Sequence, residues 1–299
     1  MSLIGTLGSG VSALRTFMKG LEVIGANIAN VNTTGYKSGE AKYADSFSNM
    51  LQRSAPYSPG GSNMPSVGIG TGVVLAGVNT NFGQGSLAST GKETDLGVAG
   101  NGFFHVKNSL DGVEYATRSG DFRWDDQGYL VSPQGFRVQG AVFSGGATPT
   151  STVGDIKLGT PPATGTPPVT AERESITIDK GGNVVEFYSD GTSATTGQVL
   201  LQTFNDPAAL VREGNNLYSG LVAAGPVGAA AGSSDLSTTA NKPGTNGLGS
   251  IQSGTLELSN VDLTDQFANL ITTQRSFQAA SRLVTVSDTI LEDIVNLKR

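Results

Sequence analysis

The chain has little with which to do chemistry. It contains one histidine and no cysteine, which excludes disulfides and thiolate metal sites and removes most nucleophile–histidine arrangements. His105 lies inside an apolar run, Phe103–Lys107, where a solitary imidazole is far more often packed than catalytic. Gly68-Ile69-Gly70-Thr71-Gly72-Val73 has the glycine content of a phosphate loop. Strand-forming residues follow it, however, and not the helix whose N-terminus would hold the phosphate. Asp125-Asp126 and Asp111 are the nearest approach to paired carboxylates. They stand beside glycine in turns, without the ordered ligand series of a calcium loop. The expectation is no catalytic residue, no cofactor and no metal.

Composition narrows the remaining classes. Of 299 residues 37% are hydrophobic and 15% charged, and 42 are glycine. That balance predicts short strands and many turns around a modest core. A net charge of −6 and the lack of any Lys/Arg cluster argue against nucleic acid as a partner. No apolar run approaches the ~20 residues a membrane-spanning helix needs, so no membrane insertion is expected. Met1-Ser2-Leu3-Ile4-Gly5 lacks the charged and apolar regions of a secretory signal. The expectation is a protein that stays in the cytosol or leaves by a route that cleaves no signal.

With no active site to position, the strongest patterns lie at the two chain ends. Leu7, Val11, Leu14, Met18, Leu21, Gly25 and Ile28 follow the 4-3 spacing of a heptad seam and predict a helix from about Leu3 to Asn30. Phe17, Ile24 and Val31 form a second apolar line. Leu263, Leu270, Phe277, Val284 and Leu291 recur every seven residues and predict a helix from about Leu263 to Leu297. Its alternate seam positions are polar (Gln274, Ser281, Asp288), flanked by Phe267 and Val295. No comparable helical period lies between the two, so each is expected to pair with the other as a coiled coil. The second line then leaves apolar surface that only further copies can cover.

Between the helices, short β-branched and aromatic runs bounded by Gly, Asp or Asn predict strands at Val73–Leu75, Gly102–Val106, Tyr129–Val131, Phe136–Val138, Ser175–Ile178 and Val199–Phe204. Trp124–Tyr129 and Ile178–Asn183 read as tight turns with glycine at positive φ. The predicted fold class is α+β: paired N- and C-terminal helices (1–38 and 254–299) with a mostly antiparallel β-domain (73–142 and 172–253) inserted between them. Residues 39–72 read as an irregular linker or extended segment. Residues 143–171, rich in Pro, Gly and Thr, read as a loop, as does the Ala/Gly/Ser/Thr-rich stretch 219–249.

Three segments carry a family resemblance. Val23-Ile24-Gly25-Ala26-Asn27-Ile28-Ala29-Asn30-Val31-Asn32-Thr33-Thr34-Gly35-Tyr36-Lys37 resembles the N-terminal signature of bacterial flagellar axial proteins, the rod and hook subunits. Its key residues are Asn27, Asn30, Thr33, Gly35, Tyr36 and Lys37, with Gly35 able to stop the helix in a left-handed conformation. Gly254–Leu263 and Gln274-Arg275-Ser276-Phe277-Gln278 resemble the C-terminal signature of the same family. Ser259 or Asn260 is placed to cap the long helix, and Gln274 and Arg275 complete the motif. Thr94–Phe104 and Tyr115–Phe122 resemble the family's middle region.

The resemblance implies a tubular homopolymer with the terminal helices inside and the β-domain outside. It also implies passage through the flagellar export apparatus and assembly under a hook cap, beside other axial proteins of the rod and the hook–filament junction. The candidate subunit interface is then Leu7, Val11, Leu14, Met18, Leu21, Ile24, Ile28, Leu263, Phe267, Leu270, Phe277, Val284, Leu291 and Val295. Ser12-Ala13-Leu14, Glu22–Gly25 and Val295–Arg299 are more similar to the hook protein. The reading they favour is a subunit of the hook, a curved joint outside the cell that transmits torque. The short insertion at 143–171, the irregular stretch 54–64 and the modest length point to the alternative, the distal rod of the basal body, and Ala26 stands where the family more often has Asn. A secreted β-rich binding module that oligomerises by coiled coil is the competing class.

Overall fold

The structure, a computed structural model, describes residues 3–54, 65–144, 150–159, 163–164, 169–170, 172–229 and 236–297. Most of the stretch 54–64 and all five prolines of the 143–171 loop lie outside the described residues. The chain divides into two compact units: Met1–Val31, Ser38–Asn81 and Val261–Arg299 form the first, and Asn32–Lys37 with Phe82–Asn260 the second.

Unit 1 is built on α1 (Leu3–Ala29) and α2 (Leu263–Leu297). It also holds four strands, β1 (Gly39–Asp45), β2 (Ser48–Gln52), β3 (Val67–Gly70) and β4 (Val73–Thr80). β1 pairs with β4 and β2 with β3, both antiparallel. Residues 39–72, expected as an irregular linker or extended segment, therefore carry three paired strands, and β4 groups with the helices and not with the central β-domain. The reason is local. Gly39-Glu-Ala-Lys-Tyr-Ala-Asp45 alternates exposed and half-buried side chains only up to a bulge at Lys42/Tyr43, so its period-2 signal is too short to stand out.

Both helix ends differ in mechanism from expectation. α1 stops at Ala29, where the Asn30 side chain donates to Ala26 O at 2.8 Å and occupies a terminal carbonyl. Gly35 lies beyond that point and serves a later turn. α2 is capped by Asp262, whose Oδ1 accepts from Thr264 N at 2.8 Å and Asp265 N at 3.4 Å, and not by Ser259 or Asn260. Asp262→Ala is expected to lower unit 1 stability by about 1 kcal/mol, measured by urea unfolding followed by far-UV circular dichroism.

Unit 2 is antiparallel throughout its described pairings. Its main path runs Arg173–Ile178, Asn183–Tyr188, Ser193–Val199, Arg137–Ser144, Phe103–Lys107, Glu114–Thr117, Leu217–Ser219 and Val211–Gly214. The two expected turns are present: Gly128 N donates to Asp125 O and Gly182 N to Asp179 O, with both glycines at positive φ. Phe103 and Phe104 point to opposite faces of one strand and both are buried. Phe104 packs edge-on against Phe122 at 5.2 Å within a core that includes Val106, Val138 and Ile251. Phe103 joins Phe204 and Tyr218 in a second core on the other face. A central strand covered on both sides reads as a continuous apolar run, which is why Phe103–Val106 was conspicuous in the sequence. Within the 143–171 stretch, Thr150–Asp155 extends the sheet by pairing with Arg137–Ser144.

Candidate assembly surface

In unit 1 the helices run antiparallel, as three contacts along their length show. Thr6 Oγ1 lies 3.5 Å from Ser287 Oγ, a Cβ on Gly10 would come within 2.8 Å of Val284 Cγ2, and Asn27 Nδ2 donates to Gln266 Oε1 at 3.0 Å. The inward line of α2 is Gln266, Leu270, Thr273, Phe277, Ala280, Val284, Ser287 and Leu291, all half-buried or buried. Its steps alternate four and three residues, a heptad rhythm. Leu270, Phe277, Val284 and Leu291 thus lie on the side of α2 that faces α1. Their alternates are Gln266, Thr273, Ala280 and Ser287, and not Gln274, Ser281 and Asp288. Leu263, Phe267 and Val295 are exposed.

α1 presents a different face from the one its apolar period predicts. Its buried residues are Gly10, Thr16, Gly20, Ile24 and Asn27, of which only Ile24 is an expected interface residue. The oily line Leu7, Val11, Leu14, Leu21 and Ile28 is half-buried, and Met18 is 51% exposed. Close approach decides this. A Cβ on Gly20 would collide with the Tyr43 hydroxyl, Thr16 Oγ1 donates to Val73 O at 3.1 Å, and Asn27 brackets Gly39 by accepting from its N at 2.9 Å and donating to its O at 2.7 Å. Small and polar side chains let strands and α2 reach the α1 backbone. The larger apolar side chains are displaced about a third of a turn away at 3.6 residues per turn. Unit 1 leaves Met18, Phe47, Met50, Leu51, Phe267 and Val286 at least half exposed, and where such side chains adjoin they mark an interaction surface.

The remaining motif residues serve unit 2. Gly35, at φ +68°, sits so close to Arg118 and Ser119 that a Cβ would come within 2.6 Å of Ser119 N, and its own N donates to Glu257 O at 2.7 Å. Thr33 O accepts from Tyr36 N in the same turn. Tyr36 is buried with the Arg212 guanidinium 5.0 Å over its ring. Lys37, fully buried, donates from Nζ to Glu257 Oε1 at 2.7 Å and to Gly83 O at 2.8 Å. Glu257, also fully buried, accepts from Gly85 N at 2.8 Å and, through Oε2, from Arg118 at 3.1 Å. Asn260 donates from Nδ2 to Gly83 O and from N to Tyr36 O, and Ser259 is half-buried beside it in sequence.

The three segments by which the chain enters and leaves unit 2 are therefore pinned together around Lys37, Gly83 and Glu257. Burial pushes the Lys37 ammonium below the usual lysine range, opposed by Glu257, and lowers Arg118 likewise. Sequence reading identified Lys37 but not its partners Glu257 and Arg118, since buried carboxylates and guanidinia carry no local signal. His105 is buried in its strand with Nε2 3.6 Å from Glu114. Gln274 and Arg275 are exposed on α2.

Comparison with known proteins matches this arrangement at three places. The family of flagella basal body rod proteins matches residues 7–37, the flagellar hook protein FlgE/F/G D1 domain residues 97–192, and the flagellar basal body rod FlgEFG protein C-terminal region residues 252–297. The flagellar basal-body rod protein FlgG of Bacillus subtilis is 34% identical over 299 residues, covering 99% of this chain and 100% of that protein. FlgG of Borreliella burgdorferi is 28% identical over 301 residues, covering 100% and 99%. The flagellar hook protein FlgE of the same organism is 25% identical over 461 residues, covering 99% and 100%.

Proposed function

The chain belongs to the family of bacterial flagellar rod and hook proteins, and from that premise we propose that it is a structural subunit of the distal rod, the straight shaft of the basal body. Proteins of this family are structural and not enzymatic. One observation carries the choice of rod over hook. The chain aligns end to end with rod proteins at nearly its own length, whereas the hook relative needs 461 positions to align with these 299 residues. The resemblance of Val295–Arg299 to hook proteins is outweighed by that collinearity.

In this reading the exposed apolar surface of unit 1 is covered by other copies. The helices form the inner layer of a tube, with coiled-coil packing between helices of neighbouring subunits. The candidate interface residues Leu7, Val11, Leu14, Met18, Leu21, Phe267 and Val295 act between copies, while Ile24, Leu270, Phe277, Val284 and Leu291 hold the helix pair that presents them. The charge cluster at Lys37, Glu257 and Arg118 holds together the segments of unit 2 that meet at Gly83. The partners are further copies of this chain and neighbouring axial proteins, reached through the flagellar export apparatus.

Electron microscopy of tubes grown from the purified full-length chain tests the assignment. Straight, stiff shafts are expected, and curved or polymorphic tubes would return the assignment to the hook.

A further inference from the structure

α2 exposes two apolar patches at opposite ends, and they differ in shape. Near its start, Phe267 and Ile271 stand out at 50% and 52% exposure, with exposed Arg275 one turn further on. Near its end, Leu283, Val286 and Ile290 line a hollow of about 430 Å³ with Thr6, Arg282 and Ser287, followed by exposed Asp293. An adjoining hollow of about 360 Å³ shares Thr6 and Leu283 and is walled by Leu51 and Ile69 of the β2–β3 hairpin. The first patch is a ridge and the second a groove. At 3.6 residues per turn they face directions roughly a third of a turn apart.

We propose that the Phe267–Ile271 ridge of one copy seats in the Leu283–Ile290 groove of the next, with Arg275 paired to Asp293 across the contact. This deepens the polymer reading above and rests on it. Register supports the occupant. Phe267 and Ile271 are centred six residues before Arg275, and the groove about seven residues before Asp293, so the two spacings agree to within about one residue. Sliding one helix along a parallel copy by the 18 residues that separate Arg275 from Asp293 therefore aligns ridge with groove and cation with anion together. Eighteen residues are five turns, a stagger of roughly 27 Å. Within one copy the same two charges sit that far apart on one helix and cannot pair. A ridge and a groove on one molecule make a head-to-tail contact, which propagates as an open helical assembly and does not close as a dimer. Faces that are not diametrically opposed turn each copy relative to the last, as a tube requires.

Charge reversal tests this without touching the apolar packing. Arg275→Glu alone sets Glu against Asp at every contact, and Asp293→Arg alone sets Arg against Arg. Each full-length variant is expected to raise the critical concentration for polymer about tenfold or more, from repulsion at a partly desolvated contact. An equimolar mixture is expected to polymerise near the wild-type concentration, because each variant then finds its complement in alternation. Growth of either variant alone at the wild-type concentration overturns the pairing. So does a mixture that stays soluble, whether the groove takes another protein or another segment. If the wild-type chain itself forms no polymer with seeds present, the polymer reading fails instead.

Discussion

Replacing Glu257 with glutamine is expected to destabilise unit 2 by about 3–5 kcal/mol, and Lys37→Met to cost clearly less. The asymmetry follows from the count of charges. Glu257 is the one carboxylate shared by two buried cations, Lys37 at 2.7 Å and Arg118 at 3.1 Å. Neutralising it leaves both cations in a low-dielectric interior without a counter-charge, and removing one partner of a buried pair costs about 3–5 kcal/mol. Removing Lys37 leaves Arg118 and Glu257 as a neutral pair, and the methionine fills most of the volume the lysine stem occupied. What is lost are the Nζ bonds to Glu257 Oε1 and to Gly83 O, about 1–3 kcal/mol together with the charge, and Asn260 Nδ2 still satisfies the Gly83 carbonyl. Arg118 already has an Nε without a hydrogen-bond partner among the described residues, so it has little capacity to absorb the loss of its carboxylate. Trp124, the chain's one tryptophan, lies in unit 2 and reports its unfolding in urea by fluorescence. Equal costs for the two variants, or a larger one for Lys37→Met, would show that the lysine's own bonds, and not charge balance, hold the cluster.

That cluster also marks where reading from sequence runs out. The long helices, the turns at Asp125–Gly128 and Asp179–Gly182 and the two-sided central strand at Phe103–Val106 were legible because each depends on residues close together in the chain. Lys37 and Glu257 are 220 residues apart, and nothing near either one specifies the other. The α1 face failed for a different reason. Apolar period finds where oily residues line up, but packing is decided by how closely backbones approach, and glycines at 10 and 20 allow Val284 and Tyr43 to come in against the helix. The Asp262 cap was missed for a third reason: Ser259, Asn260 and Asp262 are all competent caps. Asn260 is committed to Gly83 and Tyr36, which leaves Asp262 to start α2.

The misread α1 face changes what an inward substitution does. Phe277 sits on the α2 line that faces α1, between Thr273 and Val284, so Phe277→Asp strikes the helix pair inside each copy before it reaches any neighbour. A carboxylate left half-buried there costs several kcal/mol, and in a protein most of a helix's stability comes from the packing of its apolar face. The seam has few apolar contacts to spare, because its alternates are Gln266, Thr273, Ala280 and Ser287. Phe277→Asp is therefore expected to abolish polymer and to lower helix content by circular dichroism. Trp124 fluorescence and the urea transition of unit 2 should stay at wild-type values, since its cores at Phe104 and Phe103 draw on residues of unit 2 alone. Phe277→Leu, apolar and nearly as large, should retain polymer by sedimentation. Helix loss together with a shifted Trp124 transition would mean that the two units fold as one, and normal polymer from the aspartate variant would mean that the α1–α2 seam does not present the assembly surface.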